Sequence, residues 1–488
     1  MVESPRVWFL APEATPFAKT GGLADVVGSL PGALKALGLD VSIGLPLYRV
    51  VRQEGFSVTP VLHGLDVPLG RGTLACNVWA GETAEGIPAY FFEREDLFDR
   101  PNLYGNSAGD YYDNLERFSF FCRAALVFAR RAGLRMNVLH AHDWQTGLIP
   151  AYLKTLYRED AFFSDTACVF SIHNIGYQGL FPMEKFPLCG MPVSEAHPEG
   201  MEYWGQFSLL KAGIVYADAL TTVSPRYSRE IQGPEFGLGM DGILRKRSHV
   251  LQGILNGADY TLWDPLTDRH IVSNYRRGDM KGKQENKAHL LGETGLDPSL
   301  LDRPALAFIS RLSAQKGGDL LLAVAEDLVK QGALLFVLGK GEEAYERGFR
   351  ELGEGHRDRV AVRIDFDEPL SHRMLAGADM LLVPSRYEPC GLTQLYALRY
   401  GTVPVARATG GLDDTITPFD PVTGEGNGFK FSGYEPQAFL SSIRAALEVF
   451  DRPASWRRVI ENGMAADFSW RSSAERYAEL YRAVVRSA

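Results

Sequence analysis

The sequence has no long apolar run and contains only five cysteines. Its longest clean apolar stretches, such as VWFLA at 7–11, are far shorter than the roughly 20 residues that cross a bilayer. No charged segment followed by an apolar run opens the chain, as a secretion signal would. No N-x-[ST] sequon is present, and the cysteines show no CxxC spacing: Cys76, Cys122, Cys168, Cys189 and Cys390. We therefore expect a cytoplasmic protein that does not bind a membrane.

The chain also has fewer positively charged than negatively charged residues. The 51 Lys and Arg residues are outnumbered by 60 Asp and Glu residues, which leaves a net charge of -9. This balance disfavours nucleic acid or an anionic membrane as the main partner. An anionic ligand must then be held by a local basic pocket. The remaining composition, 45% hydrophobic and 23% charged, is that of a globular protein, and 488 residues suggest two or more domains.

Short apolar runs alternate with helix-period segments along most of the chain, which predicts an α/β protein with parallel sheets flanked by helices. In the first half the strand-like runs are RVWFLA (6–11), NVLHAH (137–142), ACVFSIH (167–173) and ALTTVS (219–224). In the second half they are ALAFIS (305–310), LLFVLG (334–339), VAVRI (360–364), DMLLVPS (379–385) and TVPVA (402–406). An Asn-Gly turn and a Pro/Asp-rich stretch at 254–268 suit a domain crossing. We place the domains at 1–254 and 255–465.

The two halves open in the same way. In the first, strand VWFLA leads through a loop to Lys19-Thr20-Gly21-Gly22 and a helix; in the second, strand LAFIS leads to Lys316-Gly317-Gly318-Asp319 and a helix. Ligands of open α/β sheets bind at the carboxyl ends of the strands. We therefore expect two Rossmann-like domains that face each other across a ligand cleft.

The lysine-glycine loops are suited to binding phosphate. Glycines let the backbone approach a ligand, and a helix start adds partial positive charge. A nucleotide-hydrolysing P-loop is excluded because Ala18 stands where that motif requires glycine before the lysine. In the second half, Arg311 and Lys316 share one loop after a strand, and a guanidinium beside an ammonium matches a diphosphate.

The segment LLVPSRYEPCGLTQLYAL at 381–398 follows another strand. Glu388 can accept hydrogen bonds from sugar hydroxyls, although it can also serve only as a helix-dipole carboxylate. The amides of Gly391, Leu392 and Thr393 at the helix start can receive phosphate oxygens. Cys390 belongs to the same binding segment, but its thiol is better suited to filling space than to nucleophilic attack.

Polar clusters also end two strands of the first half. Asp143, His173 and Asn174 are suited to binding hydroxyls, and Trp144 or Tyr104 can provide a stacking platform for a sugar face. His140-x-His142 leaves open a divalent metal site of a hydrolase. Asp365-Phe366-Asp367 spells the DxD of metal-dependent sugar transferases, but charged clusters after strands are common.

Taken together, the motifs closely resemble the bacterial glycogen synthase and plant starch synthase family. The resemblance rests on KTGGLADVVGSLP, HAHDWQTGLIPAYL, IHNIGYQGLF, VSPRYSREI, GILNGAD, SRLSAQKGGDLL and VPSRYEPCGLTQLYALRYGTVPV, in this order along nearly the whole chain. It implies the two-Rossmann-domain GT-B glycosyltransferase fold. It also implies transfer of glucose from ADP-glucose to the non-reducing end of an α-1,4-glucan such as glycogen, with retention at the anomeric carbon. Neither a metal nor pyridoxal phosphate is expected.

The resemblance also implies roles for individual residues. Lys19 and Gly22 would contact the donor diphosphate, which Arg311 and Lys316 would neutralise as ADP leaves with help from the 391–393 amides. The residues that would hold the glucosyl unit are Glu388, Asp25, His173, Asn174 and Asn256. Those that would line the acceptor side are Asp143, Trp144 and Tyr104. Of these, Glu388, Arg311, Lys316 and His173 are the predicted catalytic residues, and a final helix at about 466–488 would return to the first domain.

Two positions depart from patterns of related retaining transferases. Tyr396 stands where many carry a second glutamate, which agrees with bacterial glycogen synthases. Asp365 and Phe366 follow VAVRI where glycine and an aromatic residue are expected, so UDP-glucose stays open as the donor. Three further functions stay open as well: an α-glucan phosphorylase, which needs a buried Schiff-base lysine, a metal hydrolase at His140 and His142, and a catalytically silent glucan-binding protein.

Overall fold

The structure is a computed structural model that describes residues 4–106 and 109–487. The chain forms two compact units. The first comprises Met1–Gly257 together with Trp470–Ala488, and the second comprises Ala258–Ser469. The limits predicted from the sequence, at 254 and about 466, lie within a few residues of these.

The first unit contains the strands and helices of the amino-terminal half. In chain order they are β1 (Arg6–Leu10), α1 (Gly22–Ala36), β2 (Asp40–Pro46), α2 (Arg49–Gln53), β3 (Thr59–Leu69), β4 (Gly72–Glu82), β5 (Pro88–Glu93), α3 (Glu95–Phe98), β6 (Gly105–Asn106), β7 (Gly109–Asp110), α4 (Asn114–Arg131), β8 (Val138–His142), α5 (Leu148–Lys154), β9 (Ala167–Ile172), β10 (Leu180–Pro182), β11 (Glu202–Tyr203), β12 (Gln206–Ser208), α6 (Leu209–Tyr216), β13 (Ala219–Thr222), α7 (Pro225–Glu230), α8 (Asp241–Lys246) and β14 (Leu251–Gly253).

Within the described residues, nine of these strands form one sheet in the order β14-β13-β9-β8-β1-β2-β5-β4-β3. The pairs from β14 to β5 are parallel, whereas β3 and β4 extend one edge as a long antiparallel hairpin. All residues of β8 and β9 are buried. Continuous burial explains why these strands read as apolar runs and not as alternating patterns. A separate small sheet has the order β10-β12-β11.

The second unit repeats the α/β theme with shorter strands. In chain order its elements are α9 (Lys281–Glu293), β15 (Ala305–Ile309), α10 (Gly318–Lys330), β16 (Leu334–Leu338), α11 (Glu343–Gly355), β17 (Val360–Arg363), α12 (Glu368–Gly377), β18 (Met380–Val383), α13 (Thr393–Arg399), β19 (Val403–Arg407), α14 (Gly410–Thr415), β20 (Phe429–Phe431), α15 (Pro436–Phe450) and α16 (Pro453–Ala465). Six strands of the described chain form an all-parallel sheet here, in the order β17-β16-β15-β18-β19-β20.

The last helix, α17 (Trp470–Ser487), belongs to the first unit and packs against α1. A Cβ added to Gly257 would lie 2.5 Å from the Trp470 Cα atom, so the absence of a side chain at Gly257 lets the helix start sit close. Further along, the Tyr481 hydroxyl lies 2.8 Å from Nδ1 of the buried His140. The helix is therefore attached to the unit at its start and again at Tyr481.

Glycines follow the ends of two helices of the first unit. Gly38 follows α1 with φ of 85°, and Gly133 follows α4 with φ of 66°. Both lie in the left-handed region, where glycine has no steric cost. Within the residues that the structure describes, no helix is both long and apolar enough for a membrane span.

Candidate active site

The lysine-glycine loop of the first unit is built around a buried carboxylate that the sequence did not single out. Glu13 is 5% exposed and accepts hydrogen bonds from the Thr20 amide at 2.5 Å and the Gly21 amide at 3.3 Å. It also accepts from the Thr20 and Tyr104 hydroxyls. Burial raises the pKa of Glu13, although these hydrogen bonds oppose the shift. The amides of Thr20 and Gly21 therefore already have an acceptor within the protein.

Two predicted ligand residues of this loop contact each other. The Lys19 Nζ atom lies 2.7 Å from Asp25 Oδ1, and both side chains are about one third exposed or less. Gly22 is the first residue of α1, and Asp25 lies in its first turn. A carboxylate near a helix N-terminus is stabilised by the helix dipole, so Asp25 is well placed to hold the lysine in position.

Asp143 follows β8 in an unusual backbone conformation. It has a φ of 55° and a ψ of -179°, and it is one of three non-glycine residues with positive φ in the described chain. Its Oδ1 atom accepts a hydrogen bond of 2.7 Å from the amide of His173. Burial raises the pKa of Asp143 to about 7. Strained conformations of this kind are characteristic of functional sites.

His173 follows β9 and pairs with a second histidine. Its Nε2 atom lies 3.0 Å from Nδ1 of His142. The Nε2 atom of His142 is buried and has no hydrogen-bond partner in the part of the chain that the structure describes. Because an orphaned acceptor is tolerated better than an orphaned N–H group, we assign the proton to His142 Nδ1, which then donates to His173. His173 therefore carries its own proton on Nδ1, and burial lowers its pKa to about 3.

His140 is not arranged as a metal ligand. Its Nε2 atom lies 2.7 Å from the Ser171 hydroxyl, and its Nδ1 atom bonds Tyr481. Both ring nitrogens are therefore engaged with protein. Over residues 4–106 and 109–487, no group of three or more His, Cys, Asp or Glu side chains has the arrangement of a metal site. Asp367 of the DxD sequence caps α12 by accepting from the Leu370 amide at 2.9 Å.

The predicted stacking platforms differ in accessibility. Trp144 is only 8% exposed, and its ring packs against Phe118 and Phe181 at centroid distances of 5.2 and 5.9 Å. Neighbouring aromatic rings therefore cover most of Trp144, and its role as a stacking platform stays a prediction. Tyr104 is half-buried, and its hydroxyl donates to Glu13.

Two asparagines complete the predicted residues of this unit. Asn174 accepts from the Gly176 amide at 2.9 Å, which fixes the turn after β9. Asn256 follows β14, is 7% exposed, and has a buried Oδ1 atom without a hydrogen-bond partner among the described residues. An unpaired buried acceptor is costly, so this oxygen is suited to receive a ligand hydroxyl.

In the second unit, the predicted catalytic residues Lys316 and Glu388 form a direct ion pair. The Lys316 Nζ atom lies 2.5 Å from Glu388 Oε2, and the two side chains are 20% and 8% exposed. Ser385 donates to the same oxygen at 2.9 Å. Ser385 contributes to the site without having been predicted. The pair connects the loops that follow β15 and β18, which are neighbours in the sheet.

Glycines allow these loops to approach so closely. Gly317 has φ of 76°, and a Cβ there would overlap the Pro384 carbonyl oxygen. A Cβ on Gly410 would likewise overlap the Glu388 carbonyl oxygen. Arg311 is exposed on the β15 loop, with Nη2 at 3.4 Å from Gln315 Oε1. The structure thus brings Lys316 and Glu388 together and leaves Arg311 on the surface of its loop.

The segment 390–393 leads into α13. Cys390 is buried at 4% exposure, as expected for a space-filling thiol. Gly391 has φ of 75°, and the Gln394 side chain donates to the carbonyls of Cys390 and Gly391. Among the residues that the structure describes, no side chain caps α13 at Leu392, so Thr393 begins the helix without a capping oxygen.

The two departures from the expected pattern have different environments. Tyr396 stacks on Trp263 at a centroid distance of 4.2 Å, which places it in an aromatic cluster of the second unit. Asp365 and Phe366 lie after β17, where the Phe366 ring is 78% exposed. The Asp365 amide donates to Gly339 across neighbouring strands.

Comparisons with known proteins identify the class. The model of the starch synthase catalytic domain matches residues 6–246, and the model of glycosyl transferases group 1 matches residues 298–463. The protein is a glycosyltransferase with the two-domain α/β architecture of the GT-B class, as the sequence predicted.

Full-length relatives then identify the family. Glycogen synthase of Koribacter versatilis is 46% identical over 98% of this chain and 97% of its own length. Glycogen synthase of Syntrophotalea carbinolica is 46% identical over 98% and 99%. The catalytic domain of starch synthase IV from Arabidopsis thaliana, solved with ADP and acarbose, superposes with a TM-score of 0.91 at 32% identity, over 99% of this chain and 100% of that one. The chain belongs to the glycogen and starch synthase family, and its function is that of a glycogen or starch synthase.

Proposed function

We propose that the protein transfers glucose from ADP-glucose to the 4-hydroxyl at the non-reducing end of an α-1,4-glucan, with retention at the anomeric carbon and release of ADP. The observation that carries the proposal is the ion pair between the half-buried Lys316 and the buried Glu388, on the loops that follow β15 and β18. It offers a cation for a phosphate and a carboxylate for sugar hydroxyls within one contact. The complex of the Arabidopsis relative with ADP supports the choice of nucleotide.

The electrostatic argument concerns the leaving group. When the bond between the sugar C1 and the phosphate oxygen breaks, negative charge develops on ADP. Lys316 and Arg311 supply positive charge on the β15 loop before the reaction begins, and pre-placed charges lower such a barrier. The amides of the 390–393 segment would add to this stabilisation, while Glu388 accepts hydrogen bonds from the glucosyl hydroxyls.

Retention follows from a same-face path. The incoming 4-hydroxyl attacks C1 from the side that the phosphate leaves, and its proton passes to the departing phosphate. An oxocarbenium-like species separates the two events, and no enzyme nucleophile is needed. Engagement of Glu388 Oε2 by both Lys316 and Ser385 supports a binding role for this carboxylate. A covalent glucosyl adduct trapped on Glu388 would overturn this path.

The first unit is proposed to contribute the other sugar contacts. His173, Asn174, Asn256 and Asp25 would hold the glucosyl unit, and Lys19 with Gly22 would contact the donor diphosphate. The neutral imidazole of His173 can donate a hydrogen bond from Nδ1, and the unpaired Asn256 Oδ1 can accept one. Asp143, Tyr104 and the edge of Trp144 are proposed for the acceptor side.

The deciding experiment is a donor comparison. ADP-glucose and UDP-glucose are offered separately with a glycogen primer, and chain extension is followed. We expect ADP-glucose to give the higher kcat/KM, and the new linkages to be α-1,4 by NMR. A clear preference for UDP-glucose would overturn the donor assignment without changing the reaction class. Loss of extension with both donors would overturn the proposal.

A phosphorylase would need a buried lysine free to form a Schiff base. The buried lysines of the described chain are Lys211, Lys283 and Lys287, and each donates to backbone carbonyls. Their engagement favours the transferase. The absence of pyridoxal absorbance in the purified protein is the expected result.

We also propose that the reaction needs no metal, because Lys316 and Arg311 provide the charge that a cation would supply. Unchanged turnover after treatment with EDTA is expected.

The buried free thiols support a reducing, cytoplasmic setting for the enzyme. Its proposed partners there are ADP-glucose and the glucan.

A further inference from the structure

A tryptophan on the first unit is both highly exposed and conformationally costly. Trp204 is 84% exposed at the turn that joins β11 to β12. It has φ of 51°, and Gly205 after it has φ of 80°. Tight turns with two positive φ values favour Asn-Gly, so a bulky residue at the first position is unexpected. Neither packing nor backbone preference explains a tryptophan here, which points to a function for its ring.

A second turn of the same kind lies against it. Leu238 has φ of 46°, is 46% exposed, and precedes Gly239 with φ of 84°. A Cβ on Gly239 would lie 3.7 Å from the Nε1 atom of Trp204, so the two turns touch. Trp204 and Leu238 are two of the three non-glycine residues with positive φ in the described residues. The apolar side chains of Trp204 and Leu238 are therefore exposed to solvent on two adjoining turns with strained backbones.

Hydrogen bonds fix these turns in place. The Leu238 carbonyl oxygen accepts from the Tyr203 hydroxyl at 2.8 Å and from the Gln178 side-chain amide at 2.9 Å. The Gln178 carbonyl in turn accepts from the Ser208 hydroxyl at 2.7 Å. Tyr177, next to Gln178 in the chain, is itself 51% exposed. The backbone that carries the exposed side chains is therefore held in place, which limits the entropy lost when a ligand binds.

The turns are continuous with the candidate acceptor residues. Phe181 of β10 pairs with Phe207 of β12, the strand that follows Trp204. The Phe181 ring also packs against Trp144 at a centroid distance of 5.9 Å. The small sheet of β10, β12 and β11 thus connects Trp144, beside Asp143, with the exposed ring of Trp204.

We propose that Trp204, with Leu238 and the neighbouring Tyr177, forms a secondary binding site for an α-1,4-glucan, distinct from the residues that handle the reacting end. The inference rests on the proposed function, because it takes the acceptor polymer as its ligand. A pyranose ring presents a flat face of C–H groups that stacks on an aromatic ring, while its hydroxyls stay in water. The indole N–H adds one hydrogen-bond donor at the edge of the ring.

A protein partner is less well matched to this surface. Stable protein interfaces involve roughly 20 residues or more on each side. The patch consists of three exposed side chains, two on the adjoining turns and Tyr177 on the neighbouring segment. A few sugar units cover an area of this size, and a long polymer gains affinity by holding a second point while its end reacts.

The test uses Trp204→Gly in the full-length protein. Glycine removes the ring and is the residue that a positive φ favours, so the variant should fold at least as well as the wild type. Binding is measured by migration in native gels that contain glycogen, and activity is measured with maltotriose, maltoheptaose and glycogen as acceptors. Trp204→Phe keeps an aromatic ring, and Val422→Ala alters a side chain of 91% exposure in the other unit as a matched control.

We expect Trp204→Gly to migrate faster in glycogen gels and to raise the KM for glycogen roughly fivefold to tenfold, as loss of one stacking contact implies. The effect should be small with maltotriose, the KM for ADP-glucose should stay unchanged, and Val422→Ala should behave as wild type. Wild-type gel migration and glycogen KM in Trp204→Gly would overturn the site. An equal rise in KM for maltotriose, maltoheptaose and glycogen would also overturn the site, since that result would place Trp204 at the reacting end of the acceptor. Gel migration needs no donor, so it tests this site even if the assigned donor is wrong.

Discussion

At the scale of single residues, the proposed chemistry depends most on Lys316. Its ammonium group lies on the loop after β15, pairs with the buried Glu388 and is 20% exposed at its side chain. The lysine therefore has a defined position before any substrate arrives. A charge held in position costs no reorganisation energy during the reaction.

Lys316→Ala should therefore lower kcat sharply. We expect a loss of about 3 kcal/mol in transition-state stabilisation, or roughly a hundredfold in rate, as for removal of one pre-placed charge donor. Steady-state kinetics with ADP-glucose and glycogen measure the effect. Lys330→Ala, at the other end of α10, is the matched control and should retain wild-type turnover. Near wild-type turnover in Lys316→Ala would contradict the assigned role.

His173 and Asp143 should give opposite pH dependences of stability. Burial lowers the pKa of His173 to about 3, while an unfolded histidine titrates near ~6.5. The unfolded chain then binds more protons between these values, so the free energy of unfolding falls as the pH drops below about 6.5. Burial raises the pKa of Asp143 to about 7, so its contribution is present at low pH and is lost as the pH rises from about 4 to 7.

The variants His173→Gln and Asp143→Asn separate the two contributions. Between pH 7.5 and 5, His173→Gln should lose about 2 kcal/mol less stability than the wild type. Asp143→Asn should show the opposite change and lose more. Chemical denaturation at the two pH values measures both, and the variants should parallel the wild type above pH 8. Identical slopes in all three proteins from pH 5 to 7.5 would show that neither group is perturbed by burial.

At the scale of elements, the attachment of α17 depends on a glycine outside the helix. Gly257 meets the helix start at Trp470, and the Ser473 hydroxyl bonds the Leu255 carbonyl at 2.5 Å. The neighbouring residue Asn256 is a proposed sugar ligand. The docking of α17 therefore also fixes the backbone that carries this ligand.

Gly257→Ala should destabilise the protein and weaken sugar binding. The added methyl group would lie 2.5 to 2.7 Å from backbone and ring atoms of Trp470, which cannot move independently of the helix. We expect a cost of about 1–3 kcal/mol, read as a lower thermal unfolding midpoint. Gly242→Ala is the matched control, since in the described part of the chain no atom beyond its own helix and chain neighbours lies within 4 Å of the added Cβ, and helix α8 favours alanine. Equal midpoints in the two variants would contradict the close contact.

At the scale of the whole molecule, much of the fold follows from the sequence. RVWFLA, ACVFSIH and ALAFIS were recognisable because strands buried on both faces form continuous apolar runs. The edge hairpin of β3 and β4 was not predicted. Its residues are mostly exposed or half-buried, and its pairing contains register shifts, so no regular pattern appears in the sequence.

The candidate site, like the fold, could be predicted from the sequence only in part. Lys316 and Glu388 follow adjacent parallel strands, so their proximity could be expected from the order of the motifs. The role of Glu13 could not, because it depends on how the loop before α1 turns back on it. The burial of Trp144 also depends on Phe118 and Phe181, which are distant in the chain. Residues at strand ends are predictable, whereas packing between distant segments is not.

The cysteines offer a test of the whole molecule. All five are buried free thiols, and burial raises the pKa of Cys76 and of Cys189 to about 12. A thiol must ionise to react, so the native protein should be inert to a disulfide reagent such as DTNB. We expect no rapid reaction in buffer and five equivalents in guanidinium chloride. Rapid reaction of any thiol in the native protein would contradict the burial.

Under the proposed roles, the Lys316–Glu388 contact also affects which anions can bind to the enzyme before substrate arrives. Lys316 and Glu388 already act as counter-ions to each other, so the pair itself presents little net attraction to a small anion. A bare phosphate that drew Lys316 away would leave Glu388 buried without a partner, which is expensive. Under the proposed roles, a nucleotide sugar avoids this penalty because its hydroxyls bind the carboxylate as its phosphate binds the lysine. Under these roles we expect inorganic phosphate to inhibit only weakly, and a ligand that carries both a phosphate and sugar hydroxyls to bind at the ion pair.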